Sequence, residues 1–388
     1  MPVTAGEAEA YRKAGAPRWF SEGEVEDGGG RDPFEPIPGY APLLRIRKRP
    51  DGACGFLSPE GLCRIHEMMG ADRKPIACRL FPFRFHPAGD DVVVTASFAC
   101  PTVIANEGAP VRAQARELRV LDAAWMREYR EPFARVELVA GRALPNPVLA
   151  ALRRIVSRLV DRPGPEGRPD LRENLRRIAA FLEDLLRPRV RRLAPDAFAE
   201  YVDLMGRHAL TNQKPAPTRP ASRLARLLFR GFLLAVLSVQ AHLDAGGQRR
   251  FKLRLTLFRL LAHLHGLAPA TARFDLRRAT EMPFRHDDDA VHAVALHYLR
   301  ASFETLGTGR RPLVDEVAMV VAHLNAACTL GGMHAAARQK PAVDGESFAQ
   351  GLLQSADLAH ADDGGRLSAL LTTLSGGIEA LYLFPPTS

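Results

Sequence analysis

The sequence predicts a mainly α protein: a small irregular α+β cysteine-cluster module over residues 1–110, followed by a large α-helical domain over residues 111–388. Three observations point there. From Val111 onward, apolar residues recur every three to four positions in one segment after another, the period of helices with one buried face. Before Val111 the apolar stretches are short and closely punctuated by Pro and Gly. Four of the five cysteines also fall in that first part, which has little else from which to build a core.

The elements follow in order. Thr4 is a helix N-cap for Ala5 to Ala14, and an acidic, Gly-rich loop runs from Ser21 to Pro38. Leu43 to Lys48 alternates apolar and basic residues as a strand does, Pro50-Asp51-Gly52 turns, and Ala53 to Leu57 pairs back as a hairpin. Ser58-Pro59-Glu60-Gly61 turns again into a short helix, Leu62 to Met69. Pro75 opens a further helical segment ending at Phe81-Pro82, and Val92 to Phe98 reads as a strand. Beyond them, helices are predicted over Arg112 to Arg130, Pro147 to Val160, Asp170 to Leu186, Pro195 to His208, Ser222 to Leu243, Arg250 to His265, Asp288 to Leu306, Pro312 to Leu330 and Phe348 to Leu358. Pro163-Gly164-Pro165, the Pro215 to Pro220 stretch, Gly246-Gly247 and Gly331-Gly332 read as the breaks between them. No repeat of fixed period and no heptad run is visible.

A chain of 388 residues buries a full-sized core without staples, so a metal site here is not needed merely to fold. Hydrophobic residues at 46% and charged residues at 25% exclude a disordered, collagenous or disulfide-dense chain. The net charge of +9 invites a nucleic-acid reading, which the details weaken. Only six basic residues are lysine and 47 are arginine, a bias that matches GC-rich coding. Residues 1–110 hold 13 Lys and Arg against 15 Asp and Glu, net −2, so +11 is spread thinly along the helices. Aromatic residues, 7% in all, are scarce in that basic region, and stacking platforms for bases are hard to find. Nucleic-acid binding is accordingly the weakest of the functional readings.

Met1 to Ala14 is charged and lacks the apolar stretch of a secretory signal. The longest apolar run, Leu227 to Leu243, is interrupted by Arg230, Gln240 and His242 and falls short of the ~20 residues that span a bilayer. A cytoplasmic location without a membrane partner is the expectation. In that reducing compartment cysteines serve as metal ligands or reactive groups more often than as disulfides.

The cysteines carry the sharpest signal. Their spacing is Cys54-x8-Cys63-x14-Cys78-x21-Cys100, each on or beside a turn, whereas Cys328 falls inside an apolar helix as a space-filler. Thiolates on separate short elements can converge on one tetrahedral centre, and soft sulfur favours zinc or an iron–sulfur cluster over hard cations. The plain alternative is that small cysteines merely fill space in a poor core. No C-x-x-C pair is present, so spacing alone does not decide between them. His66, one turn after Cys63, and His86, after Phe81-Pro82-Phe83, are substitute ligands at best and half-exposed surface histidines otherwise. Arg79, beside Cys78, either neutralises thiolate charge or holds a carboxylate or phosphate, the plain alternative being a surface arginine. Phe81, Phe83 and Phe85 alternate and are expected to wall the site.

Four strings together resemble the YkgJ-type cysteine-cluster family, described as zinc- or iron-chelating: Cys54-Gly55-Phe56-Leu57, Gly61-Leu62-Cys63-Arg64-Ile65-His66, Ala77-Cys78-Arg79-Leu80-Phe81-Pro82-Phe83 and Phe98-Ala99-Cys100-Pro101. The resemblance covers residues 50 to 105. A similar pattern stands at the front of flagellin lysine-N-methylases, where a mostly helical remainder follows. It implies metal ligation by Cys54, Cys63, Cys78 and Cys100. For the methylase branch it implies methyl transfer from S-adenosylmethionine to a protein substrate such as flagellin. In the family a C-x-x-C-x-x-C-C string precedes a Pro-(Leu/Val)-Thr-x-x-Glu-Ala segment. Pro2-Val3-Thr4-Ala5-Gly6-Glu7-Ala8 matches that segment directly after Met1, without the upstream cysteines, so the expectation is a late start.

The usual catalytic strings are missing. There is no strand-linked G-x-G-x-x-G, no Walker A string, no C-x3-C-x2-C and no H-E-x-x-H, so a methyl donor would need an unfamiliar pocket. His286-Asp287-Asp288-Asp289, with His292 and His297, is the one polar knot in the helical region. It reads as an acidic N-terminal cap on its helix in preference to a carboxylate–imidazole pair for proton transfer.

Overall fold

A computed structural model describes residues 2–20, 32–37, 43–49, 53–88, 91–128, 136–139, 141–216, 282–284, 288–307 and 312–361. The helices expected over Ser222 to Leu243 and Arg250 to His265, and the Pro50-Asp51-Gly52 turn, lie outside these. The protein is mainly α, with a small α+β part at its front. Two compact units divide it: the first takes Met1–Arg84 and Pro110–Glu131, and the second takes Phe85–Ala109 with the helices from Pro132 onward.

The first unit begins with β1 (Pro2–Val3) and α1 (Ala5–Lys13). Thr4 caps α1 as expected, and the cap is reciprocal: Glu7 N donates to Thr4 Oγ1 at 3.1 Å while Thr4 N donates to Glu7 Oε2 at 2.8 Å. After α2 (Ala16–Trp19), β2 (Phe34–Pro36) and β3 (Leu44–Ile46) complete a three-stranded antiparallel sheet in the order β1-β3-β2. The register pairs Val3 with Leu44 and Phe34 with Ile46. The expected hairpin back from Ala53 is reduced to a single antiparallel bridge, Lys48 to Cys54. Two short helices follow, α3 (Arg64–Met69) and α4 (Ile76–Leu80). Val3, Ala8, Tyr11, Phe34, Ile46, Phe56 and Ile65 form a small core beneath them. Tyr11 stacks on Phe34 with ring centroids 5.9 Å apart.

The hairpin β4 (Phe83–Ala88) and β5 (Asp91–Ala96) leads into α5 (Pro101–Ile104). In the first unit α6 (Ala115–Glu128) follows a short 3-10 turn, Val111–Gln114.

The second unit is built on α7 (Asn146–Val160), α8 (Leu171–Leu186), α9 (Pro188–Arg191), α10 (Pro195–Thr211), α11 (Asp289–Glu304), α12 (Leu313–Ala337) and α13 (Gly345–Ala361). Helix α7 packs against α8, α10 and α11, and α13 packs against α11 and α12. Leu152, Leu159, Ile178, Leu182, Leu185, Phe303 and Phe348 are buried in the resulting core. Each such side chain contributes about 1.5–3 kcal/mol by leaving water. Phe98 and Ile104 join this core, Phe98 meeting the Tyr298 ring edge-on at 5.1 Å. After α10 the chain is fastened back onto α8 by buried Arg177, which pairs with Glu173 at 2.9 Å and donates to the carbonyls of Asn212 and Lys214.

One break was misplaced. Gly331 and Gly332 do not end the helix begun at Pro312; α12 runs through them to Ala337. Gly331 is there for proximity, since a Cβ on it would stand 3.1 Å from Phe348 Cα and 3.1 Å from Ser347 O of α13. Uninterrupted, α12 is long and apolar enough to cross a membrane by length and composition, and 78% of its most apolar stretch is buried inside the fold. It is a core helix of the second unit.

Candidate metal centre

Three short elements of the first unit carry Cys54, Cys63 and Cys78. Cys54 sits at the bridge to Lys48, where Gly55 N donates to Arg47 O at 3.1 Å and Leu57 N to Cys54 O at 3.0 Å. Gly55 leaves room there for the Phe20 ring: a Cβ would lie 2.9 Å from its Cδ2, and closer still to its edge atoms. Cys63 bridges to Leu57 and is the N-cap residue of α3, its carbonyl accepting Glu67 N at 3.0 Å. Cys78 lies inside α4.

All three are half-buried, and no disulfide involves any of the five cysteines. Burial pushes the Cys78 thiol up to about 11; the neighbouring Cys54 and Cys63 sulfurs add to the rise and Lys74 offsets part of it. Cys54 and Cys63 are each within electrostatic reach of Cys78. Cys54 and Cys63 also pack against the apolar core of this unit. Cys100 belongs to the second unit, as the N-cap residue of α5. Cys328 is buried in α12, where burial drives its thiol well above the usual range, consistent with an inert space-filler.

A carboxylate and a phenol from α1 hold the segment that carries Cys78. Glu7 Oε1 accepts from Ile76 N at 2.8 Å, and Tyr11 donates from its hydroxyl to Arg73 O at 2.7 Å. Burial pushes the Tyr11 phenol up, and Glu7 and Cys78 push it further. Sequence reasoning missed both residues as parts of the site. The only available signal was the Thr4-x-x-Glu7 capping pattern, which reports the helix start and says nothing of a contact 69 residues away.

Arg79 follows Cys78 in the last turn of α4, half-buried, and its charge acts on the Tyr11 hydroxyl. His66 is exposed on α3, and His86 lies in the second unit with its ring Nε2 3.0 Å from Thr95 Oγ1. Phe81, expected to wall the site, is 44% exposed, and Phe85 is buried in the second unit. The polar knot of the helical region resolves as a cap: Asp288 accepts from Ala290 N and Val291 N, and Asp289 pairs with Arg168 at 2.7 Å. His292 Nε2 meets Pro169 O at 2.7 Å and His297 Nε2 meets Val103 O at 3.0 Å, each therefore carrying its proton on that nitrogen. His286 and Asp287 lie outside the described residues.

The donor set fits a soft cation in kind: three thiols from three elements, none tied up in a disulfide. It does not form a closed coordination sphere, since among the described residues no group of three or more His, Cys, Asp or Glu side chains stands at metal-holding separation. Comparisons with protein-family models, with curated proteins and with solved structures returned no match.

Proposed function

We propose that this chain is a metal-binding protein of the cysteine-cluster type, in which Cys54, Cys63 and Cys78 supply thiolate ligands to zinc or an iron–sulfur centre. The observation that carries the reading is three free, half-buried thiols on separate short elements of one unit, with Cys54 and Cys63 both near enough to Cys78 for their charge to act on it. A thiol at about 11 is protonated at neutral pH and inert by itself. A bound cation supplies the charge that makes such a thiol a thiolate, and it cross-links three short elements resting on a small core. The free state of the cysteines suits a reducing compartment, so we place the protein in the cytoplasm.

The test is metal and acid-labile sulfide content after anaerobic purification from cells supplied with zinc and iron. We expect one zinc or one cluster per chain, lost together in Cys54→Ser, Cys63→Ser and Cys78→Ser. Wild-type protein that stays metal-free and takes up neither ion on titration overturns the reading. The packing of Cys54 and Cys63 against the first core favours a second reading, in which they only fill space. In that case Cys54→Ala and Cys63→Ala shift thermal stability equally with and without a chelator. Ligands lose stability only when metal is present.

A further inference from the structure

We propose that Glu7 is a positioning residue for the Cys78 thiol, its carboxylate joining the start of α1 to the start of α4. Helix α4 has five residues, too few to persist without external contacts, so its placement depends on what its ends are tied to. Pro75 has no N–H, which leaves Ile76 N as the first donor of that helix, and Glu7 Oε1 accepts it at 2.8 Å. The other oxygen of the same carboxylate, Oε2, accepts Thr4 N at 2.8 Å. One anion thus satisfies two backbone donors on separate helices. Tyr11, one turn further along the same face of α1, holds the approach to α4 by donating to Arg73 O at 2.7 Å. Two residues beyond Ile76 stands Cys78, whose own N–H donates back to Pro75 O at 2.8 Å. The placement of Cys78 in α4 is therefore set through Glu7.

The inference deepens the metal-binding reading and rests on it for its purpose, while its geometry is testable without metal. In reduced, metal-free, full-length protein, alkylation of each cysteine by iodoacetamide is followed by peptide mass spectrometry. Glutamine has one accepting oxygen where the carboxylate offers two, so Glu7→Gln and Glu7→Ala should both expose Cys78, raising its alkylation rate about tenfold. Cys54 and Cys63 should change by less than about twofold. Glu9→Ala, on the same helix and paired with Arg12 and Lys13, should leave all three at the wild-type rate. Cobalt(II) titration supplies a spectroscopic readout: the sulfur-to-cobalt charge-transfer band should weaken in Glu7→Gln and persist in Glu9→Ala. Should the Glu7 variants not fold, amide hydrogen exchange on the wild type decides, since Ile76 N–H must then be protected despite opening a helix. Equal acceleration at all three thiols, an unchanged Cys78 rate, or rapid exchange at Ile76 overturns the proposal. Cobalt failing to bind wild-type protein, with Cys78 still shielded through Glu7, refutes the metal-binding reading and leaves this one standing.

Discussion

Gly351→Ala changes one hydrogen for one methyl at the tightest seam of the second unit. The new Cβ would stand 2.5 Å from Gly331 N and 3.1 Å from Gly331 Cα, and closer still to Ala327 O, whereas real Cβ atoms essentially never come within 3.0 Å of such neighbours. All three obstacles are α12 backbone, so no side-chain rotation relieves them and the two helices must separate. Ordinary contact begins at 3.4 Å, so clearing Gly331 N alone needs a shift of about 0.9 Å and clearing Ala327 O needs more, within a core that resists even one extra methylene. Overpacking of this kind costs about 3 kcal/mol, and the better helix propensity of alanine returns about 1 kcal/mol, leaving a net loss near 2 kcal/mol. For a unit of this size that lowers the thermal midpoint by about 4–8 °C. Circular dichroism at 222 nm during heating measures it. Gly6→Ala is the control: in α1 the nearest atom to its Cβ is Thr4 Oγ1 at 4.0 Å, and the same substitution should stabilise by about 0.5 kcal/mol. A Gly351→Ala midpoint equal to or above wild type would refute the close-packed seam.

Four further outcomes are expected. Asp344 is held at about 2: burial alone would raise it, but hydrogen bonds from Lys340 and Ser347 win. Because the folded value lies below the ordinary 3.8, the stabilisation is present above pH 3.8 and is lost as pH falls toward 2. With the side chain 40% exposed, solvent screening trims this to about 1 kcal/mol, so Asp344→Asn should cost that much at pH 7 and nothing at pH 2 in urea titrations. His297 is lowered by burial, so the fold favours its neutral form and loses stability as pH drops below 6.5; His297→Gln should remove that slope from chemical denaturation measured between pH 8 and 5. Asn325 is fully buried in α12 with neither amide atom hydrogen-bonded among the described residues, so the nearly isosteric Asn325→Leu should raise the denaturant midpoint by about 1 kcal/mol equivalent at constant m-value; a loss instead would reveal a further partner. Gly55→Ala should force the Phe20 ring off Gly55 and disturb its edge contact with Phe56, costing about 2 kcal/mol and altering the near-ultraviolet dichroism of the first unit.

Periodicity, capping and turn chemistry are local, and they made most elements readable. Thr4, Asp170 and Asp288 stand as N-caps where a polar residue precedes an apolar stripe, and α7, α8 and α10 begin within one residue of their expected starts. The clustering of four cysteines ahead of Val111 was equally plain. What one position demands of a distant one was not. Gly331-Gly332 looks like a break in isolation, and only the backbone of α13, which would stand 3.1 Å from a Cβ on Gly331, shows why glycine sits at position 331 of a continuing helix. Likewise a capping glutamate does not announce that its second oxygen reaches Ile76, and a row of cysteines does not tell which sulfurs share a unit. Phe98 and Ile104 carry Cys100 with the second unit because their side chains are buried among its helices, Phe98 against Tyr298. Hydrophobic period and cap residues act over a few positions and so survive in the linear chain. Close backbone approach, shared acceptors and the gathering of thiols depend on segments tens of residues apart, and they exist only once the chain has folded.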